Sequence, residues 1–265
     1  MISKVHLYIT LALCAKCIFA VKTYSRFGTT GGNPCDYCKE HIACNSTWNF
    51  SKNCYANAKF ITMTQKMRNF ILQIHNSYRN KLAGGNVKGF DPAKRMASMK
   101  WNMEFEYLSM LNLLQCQMKH DKCRPTPRYR YVGQNLAYLF WENLNLTTEW
   151  IVKFLITHWF EENKYMTMND IFNLTKRPEG APLIGHFAMF AQERANEVGC
   201  AILQQTATNG TNELYLACDY SFTNWYQIPI YRPGKPTSAC TTGPHPVYRN
   251  LCSEKEIYNI NSYKY

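Results

Sequence analysis

Beyond its first twenty residues the chain carries six histidines: His41, His75, His120, His158, His186 and His245. Imidazole is the side chain best suited to act as acid, base or metal ligand near neutral pH. His158 and Glu162 are four residues apart, which puts both on one helix face, where they share a ligand or simply pair. His120 precedes Asp121 in a cysteine-rich stretch, and His186 follows Gly185 at the start of an apolar run. Each alone is most simply structural; together they are a candidate joint site. His75 lies beside an apolar stripe and is expected to hydrogen-bond in the core. His41 and His245 sit in loop-like sequence with no partner pattern. No Gly-x-Ser-x-Gly elbow occurs and no free cysteine is expected, so the nucleophile of the common secreted hydrolases is missing.

The compartment decides what the 12 cysteines do. Lys4 precedes an apolar run through Ala15, and Ile18 and Ala20 suit the −3 and −1 positions of a cleavage site. The run is too short for a bilayer and leads into polar sequence, so residues 1–20 read as a secretory signal peptide. Its loss removes Cys14 and Cys17, which with Cys35 and Cys38 otherwise mimic a four-cysteine zinc site. Cys35, Cys38, Cys44, Cys54, Cys116, Cys123, Cys200, Cys218, Cys240 and Cys252 remain. An even set in a secreted chain predicts five disulfides, and roughly nine hundred pairings are open on the count alone. Sequons at Asn45, Asn49, Asn145, Asn173 and Asn209 place their segments at the surface if glycosylated.

Thirty basic residues face 18 acidic ones. Without Lys4 and Lys16 the balance is 28 against 18, a net +10. Outside the cell that charge points to a glycan or a lipid surface as anionic partner, and away from nucleic acid. The basic-aromatic run from Lys119 through Tyr131 is either such a patch or a solvated loop. A hydrophobic share of 46% excludes a disordered chain. No later segment approaches 18 apolar residues, so no transmembrane segment is expected.

The elements that must position these residues follow from periodicity. Residues 21–60 form a polar, cysteine-rich arm. Met67, Phe70, Ile71, Ile74 and Tyr78 mark a helix that Gly84-Gly85 stops. Asn102 is an N-cap for a second helix, with Glu104 and Glu106 in its first turn and Phe105, Leu108 and Leu111 on its apolar face. Residues 117–135 are loop-like. A third helix runs from about Thr148 to Asn163, and a loop spans 164–185. Strands are expected at His186–Ala191, Val198–Leu203 and Leu214–Tyr220, with a turn at Thr208-Asn209-Gly210. Helices before adjacent antiparallel strands give an α+β domain over 61–231, followed by a tail at 232–265.

Seven motifs in order carry a resemblance: His75-Asn-Ser-Tyr-Arg79, Met99-Lys-Trp-Asn102, His120-Asp-Lys-Cys123, Gly133-Gln-Asn-Leu-Ala137, Gly185-His-Phe187, Glu197-Val-Gly-Cys200 and Ala217-Cys-Asp-Tyr220. Over residues 35–258 the chain resembles the CAP superfamily of cysteine-rich secretory, antigen 5 and pathogenesis-related proteins, and within it the insect antigen 5-like venom allergens. The resemblance implies a three-layer α–β–α sandwich. It implies the pairs Cys35–Cys44, Cys38–Cys123, Cys54–Cys116 and Cys200–Cys218, and by remainder Cys240–Cys252. It also implies a cleft holding His120, His186 and Glu162, with Gln134 where the family carries a second Glu. Two imidazoles and a carboxylate suit Zn²⁺, but no cofactor is required. A neutral amide cannot serve as a base, which leaves Glu162 as the candidate base. Ala188 and Gln192 also depart from the family pattern and bear on the rim of the cleft.

The function so implied is a secreted, non-catalytic protein that binds an extracellular protein, glycan or lipid surface. Venom, saliva, reproductive or seminal fluid and immunity are all compatible settings. A metal-dependent hydrolase is the enzymatic alternative, and a lipid or sterol carrier a further one. Residues 221–265 hold only Cys240 and Cys252, too few for the channel-blocking module of vertebrate relatives.

Overall fold

Thr64 starts the longest helix by accepting a hydrogen bond from the Met67 N–H at 3.2 Å. Met67, Ile71 and Ile74 then share its buried face, and Gly85 beyond its end takes a φ of +74°, which favours glycine. In this computed structural model, which describes residues 32–263, the helices are α1 (Pro34–Tyr37), α2 (Gln65–Ala83), α3 (Met103–Leu113), α4 (Thr148–Glu161), α5 (Met168–Phe172) and α6 (Gly185–Ala191). A 3₁₀ turn, Glu162–Tyr165, continues α4. The strands are β1 (Lys59–Phe60), β2 (Lys100–Trp101), β3 (Gly133–Trp141), β4 (Glu197–Thr206) and β5 (Asn212–Tyr220). The signal-peptide residues and the Cys14/Cys17 pair lie outside the described residues.

The sheet runs β1-β4-β5-β3 in antiparallel order, and β2 joins β4 in parallel. Alternation along the strands feeds two faces. Val198, Cys200, Ile202, Leu214, Leu216 and Tyr220 pack with α2, α4 and α6, whereas Ala201, Leu203, Tyr215 and Ala217 face the α3 side. The result is the α–β–α sandwich. Contact on the α3 side is close: a Cβ on Gly199 would lie 2.3 Å from both Asn102 O and Glu106 N.

Buried Arg79 ties three segments by donating to the carbonyls of Ala97, Phe190 and Gln192. Disulfides join Cys35–Cys44, Cys38–Cys123, Cys54–Cys116, Cys200–Cys218 and Cys240–Cys252. The second and third fasten the arm to the segment that follows α3.

Four expectations are corrected. The loop expected to reach residue 135 ends earlier, because Gly133 opens β3 and pairs with Tyr220. His186–Ala191 is helical, not a strand; the run is apolar and buried from Phe187 to Ala191, and so short an apolar run suits either element. The third helix stops at Glu161, and residues 162–165 continue it as a tighter 3₁₀ turn. Ala188 and Gln192 are buried in and just after α6, not on a cleft rim.

Candidate functional site

The site straddles the open edge of the sheet at the start of β3. Gln134 and Asp219 are directly opposed across β3 and β5, so both side chains fall on the α3 face. Asp219 is fully buried there, accepting from Ser109 Oγ on α3 at 3.1 Å and from Gln134 Nε2 at 2.9 Å. The same amide donates to Asp121 Oδ2 at 3.0 Å, and Asn112 of α3 also bonds that oxygen. On its other side Gln134 Oε1 accepts from Arg124 Nη2 at 3.0 Å and from His120 Nδ1 at 2.7 Å. A guanidinium only donates, so it fixes which end of the amide is oxygen. Burial pushes the Asp219 carboxyl up to about 7, with Arg124 opposing the rise and Asp121 adding to it.

Across β3, α6 presents the second half. Glu162 Oε1 accepts from His186 Nδ1 at 2.6 Å, and its Oε2 accepts from the backbone N–H groups of His186 and Phe187 at 2.9 and 3.1 Å. The Trp159 ring stacks on His186, and Asn135 Nδ2 donates to the His186 carbonyl. Both imidazoles therefore spend Nδ1–H on a fixed oxygen and keep Nε2 as an acceptor or ligand nitrogen. One side of the His120 ring meets solvent. The protein around the other side withdraws enough water to hold its pKa below the ordinary histidine value; Arg124 and His186 push the same way, while the Gln134 hydrogen bond opposes.

The sequence-derived candidates thus separate into two histidines with free Nε2 atoms, and Gln134 and Glu162 behind them as orienting groups. Glu162 already accepts three hydrogen bonds, from His186 Nδ1 and from two backbone N–H groups. Among the described residues no group of three or more His, Cys, Asp or Glu is placed to hold a metal. The nitrogen donors left open there are the two oriented imidazoles. His158 lines the same groove as Glu162 and lies against Phe154, while the Glu162 carboxylate is taken by His186. His75 is buried, with Nδ1 donating to Ile71 O and Nε2 accepting from Tyr220 Oη. His41 and His245 hold loops: His41 Nε2 bonds Pro125 O, and His245 Nδ1 accepts from Val247 and Tyr248 N–H. Asp121, Arg124 and Asp219 went unread as site residues. Asp121 and Asp219 stand in two of the motifs and Arg124 follows one of them directly, but only the β3–β5 register brings them together.

A groove of about 590 Å³ runs from this site along β3, lined by Met118, Tyr138, Phe154, His158, Trp159 and Leu183 among others. No helix among the described residues is long and apolar enough to cross a membrane.

The family model described as CAP, the cysteine-rich secretory protein family, matches residues 72–220. Venom allergen-1 of Aedes aegypti is 34% identical over 242 residues, covering 89% of this chain and 93% of that protein. The antigen 5 like allergen Cul n 1 of Culicoides nubeculosus is 40% identical over 167 residues, 63% of this chain and 75% of that protein. Among solved structures, BmVAL-1 superposes with a TM-score of 0.60 at 24% identity, over 77% of this chain and 99% of its own. NaASP2 with Zn²⁺ gives a TM-score of 0.57 at 24% identity, over 76% of this chain and 100% of its own. These two likenesses concern the fold.

Proposed function

Because the chain belongs to the cysteine-rich secretory protein (CAP) family and is similar throughout to insect venom allergens, we propose that it is a secreted, non-catalytic, antigen 5-like protein that acts in an extracellular fluid by binding a partner. The observation that carries this reading is the state of the two would-be bases. At position 134 an amide, not a carboxylate, is clamped between Arg124 and two acids. Glu162 spends both oxygens on His186 and two backbone amides. Neither group is poised to take a proton from water or substrate.

His120 and His186 are the residues that would hold a divalent cation such as Zn²⁺, each through Nε2. When bound, the ion would supply a Lewis-acidic point for a partner's oxygen or nitrogen. The chain's own part is to orient both rings through Gln134 and Glu162.

The test is a peptide and ester substrate panel with and without added Zn²⁺, run on wild type and on a His120→Ala/His186→Ala variant. No turnover by either supports binding as the function. Turnover that the double variant loses would overturn it.

A further inference from the structure

β3 is the last strand on its side of the sheet, and half of its backbone polar groups are open. The Leu136 carbonyl accepts from Trp159 Nε1 at 3.2 Å, so Leu136 directs its N–H and C=O away from β5. These directions alternate along an antiparallel ladder, and Tyr138 and Phe140 therefore point outward with Leu136. Among the described residues, none hydrogen-bonds the outward N–H or C=O of Tyr138 or Phe140. From Leu136 to Trp141 the strand carries no charge and no proline, the usual devices that keep an edge from pairing. The side chains of Tyr138 and Phe140 are 47% and 60% exposed.

This edge adjoins the groove beside the histidines. Met118 lines it on the α3 side, and Phe154, His158 and Trp159 line it from α4. We propose that the groove takes an extended, apolar peptide segment of a partner protein, which adds to β3 as a further strand. Its backbone pairs with Tyr138 and Phe140, and alternate side chains enter among Phe154, His158 and Trp159. Donors and acceptors repeating every two residues along an extended strand are matched by another strand; a lipid chain or a glycan has no such repeat. A second copy would have to bring its own β3, which α4 and Met118 flank, into the same groove, so a separate extended segment is the simpler occupant. The inference rests on the binding reading above and names the class of partner.

The probe is a phage-displayed library of linear octapeptides selected on the chain lacking residues 1–20. Enriched peptides are resynthesised and assayed on wild type, Phe140→Pro and Tyr138→Lys. The proline removes one outward N–H and no ladder bond, so folding is retained, which unchanged amide exchange in β4 verifies. Phe140→Pro is expected to weaken binding about tenfold or more, the loss of one strand hydrogen bond with its packing. Tyr138→Lys keeps the backbone and places a charge on the edge, and a loss of similar size is expected. In wild type, the Tyr138 and Phe140 amides exchange fast when free and slow when the peptide is bound. No enrichment, binding to both variants as tight as to wild type, or edge amides already protected in a dimer that dilution dissolves would each overturn the inference. Cleavage of a bound peptide, read by mass spectrometry, would instead defeat the non-catalytic reading and leave strand addition standing.

Discussion

Gln134 Nε2 lies 2.9 Å from Asp219 Oδ1, and the amide that makes this contact also bridges Asp121, Arg124 and His120. Both faces of the amide are used: its NH₂ meets two carboxylates and its oxygen meets two donors. Glutamate has the same shape and lacks the donors. Gln134→Glu would set a third carboxylate against Asp121 and buried Asp219, with Arg124 as the facing cation. A loss of about 1–3 kcal/mol at pH 8 is expected, smaller at pH 5 where the added group gains a proton. Urea unfolding at the two pH values reads this, and equal losses at both would contradict it.

Burial raises the Asp219 carboxyl from 3.8 to about 7 and lowers the His75 imidazole from 6.5 to about 4. The two act in opposite directions. Between those limits the folded chain keeps the Asp219 proton that the unfolded chain has released, so this contribution to stability falls as pH rises. At His75 the unfolded chain binds a proton that the folded chain refuses, so that contribution grows as pH rises toward 6.5. In wild type the two contributions oppose each other. Asp219→Asn removes the falling one, and its Tm should climb more steeply with pH than that of wild type over this range. Parallel calorimetric profiles for the two proteins would refute the assignment.

The helices were legible because their faces repeat: Met67, Ile71 and Ile74 on α2, and Asn102 capping α3 through the Phe105 N–H. β3 was not, because it opens on Gly133, Gln134 and Asn135, the last two with side chains that serve the site, and then exposes Tyr138 and Phe140. α6 hid for the opposite reason, being apolar all round. His120 and His186 could be picked out by motif. Their orienting geometry could not, because Glu162 reaches His186 across 24 residues of chain and Asp219 reaches Gln134 across 85.

Glu162→Gln tests whether His186 is held for a ligand. The variant keeps the side-chain shape and loses the charge that fixes Nδ1–H on the imidazole. Zn²⁺ affinity by isothermal titration should fall about 10–100-fold, with thermal stability moved little. A stability loss with unchanged affinity would make the pair structural.

Gly199→Ala should fail to fold. The added methyl meets the Asn102 carbonyl and the Glu106 N–H, backbone atoms at the start of α3 that no rotamer change can clear. Overpacking of this kind costs about 1–3 kcal/mol or more. Soluble yield and circular dichroism against an Ala201→Gly control read it; a stable Gly199→Ala variant would show that α3 can shift away from β4.

Cys38→Ser/Cys123→Ser should release the arm without unfolding the sandwich. The bond closes a separation of 85 residues, and its loss should cost about 2–4 kcal/mol. Limited proteolysis should then cut before residue 54, where wild type resists; an uncut arm would mean that packing alone holds it.

Cys54–Cys116 and Cys38–Cys123 stand at the two ends of the short segment that carries Met118 and His120. This wall of the groove is therefore fastened by two disulfides together with the hydrogen bonds of Asp121, whereas the opposite wall on α4 and α6 rests on the core alone. A reductant is expected to loosen the first wall before the second.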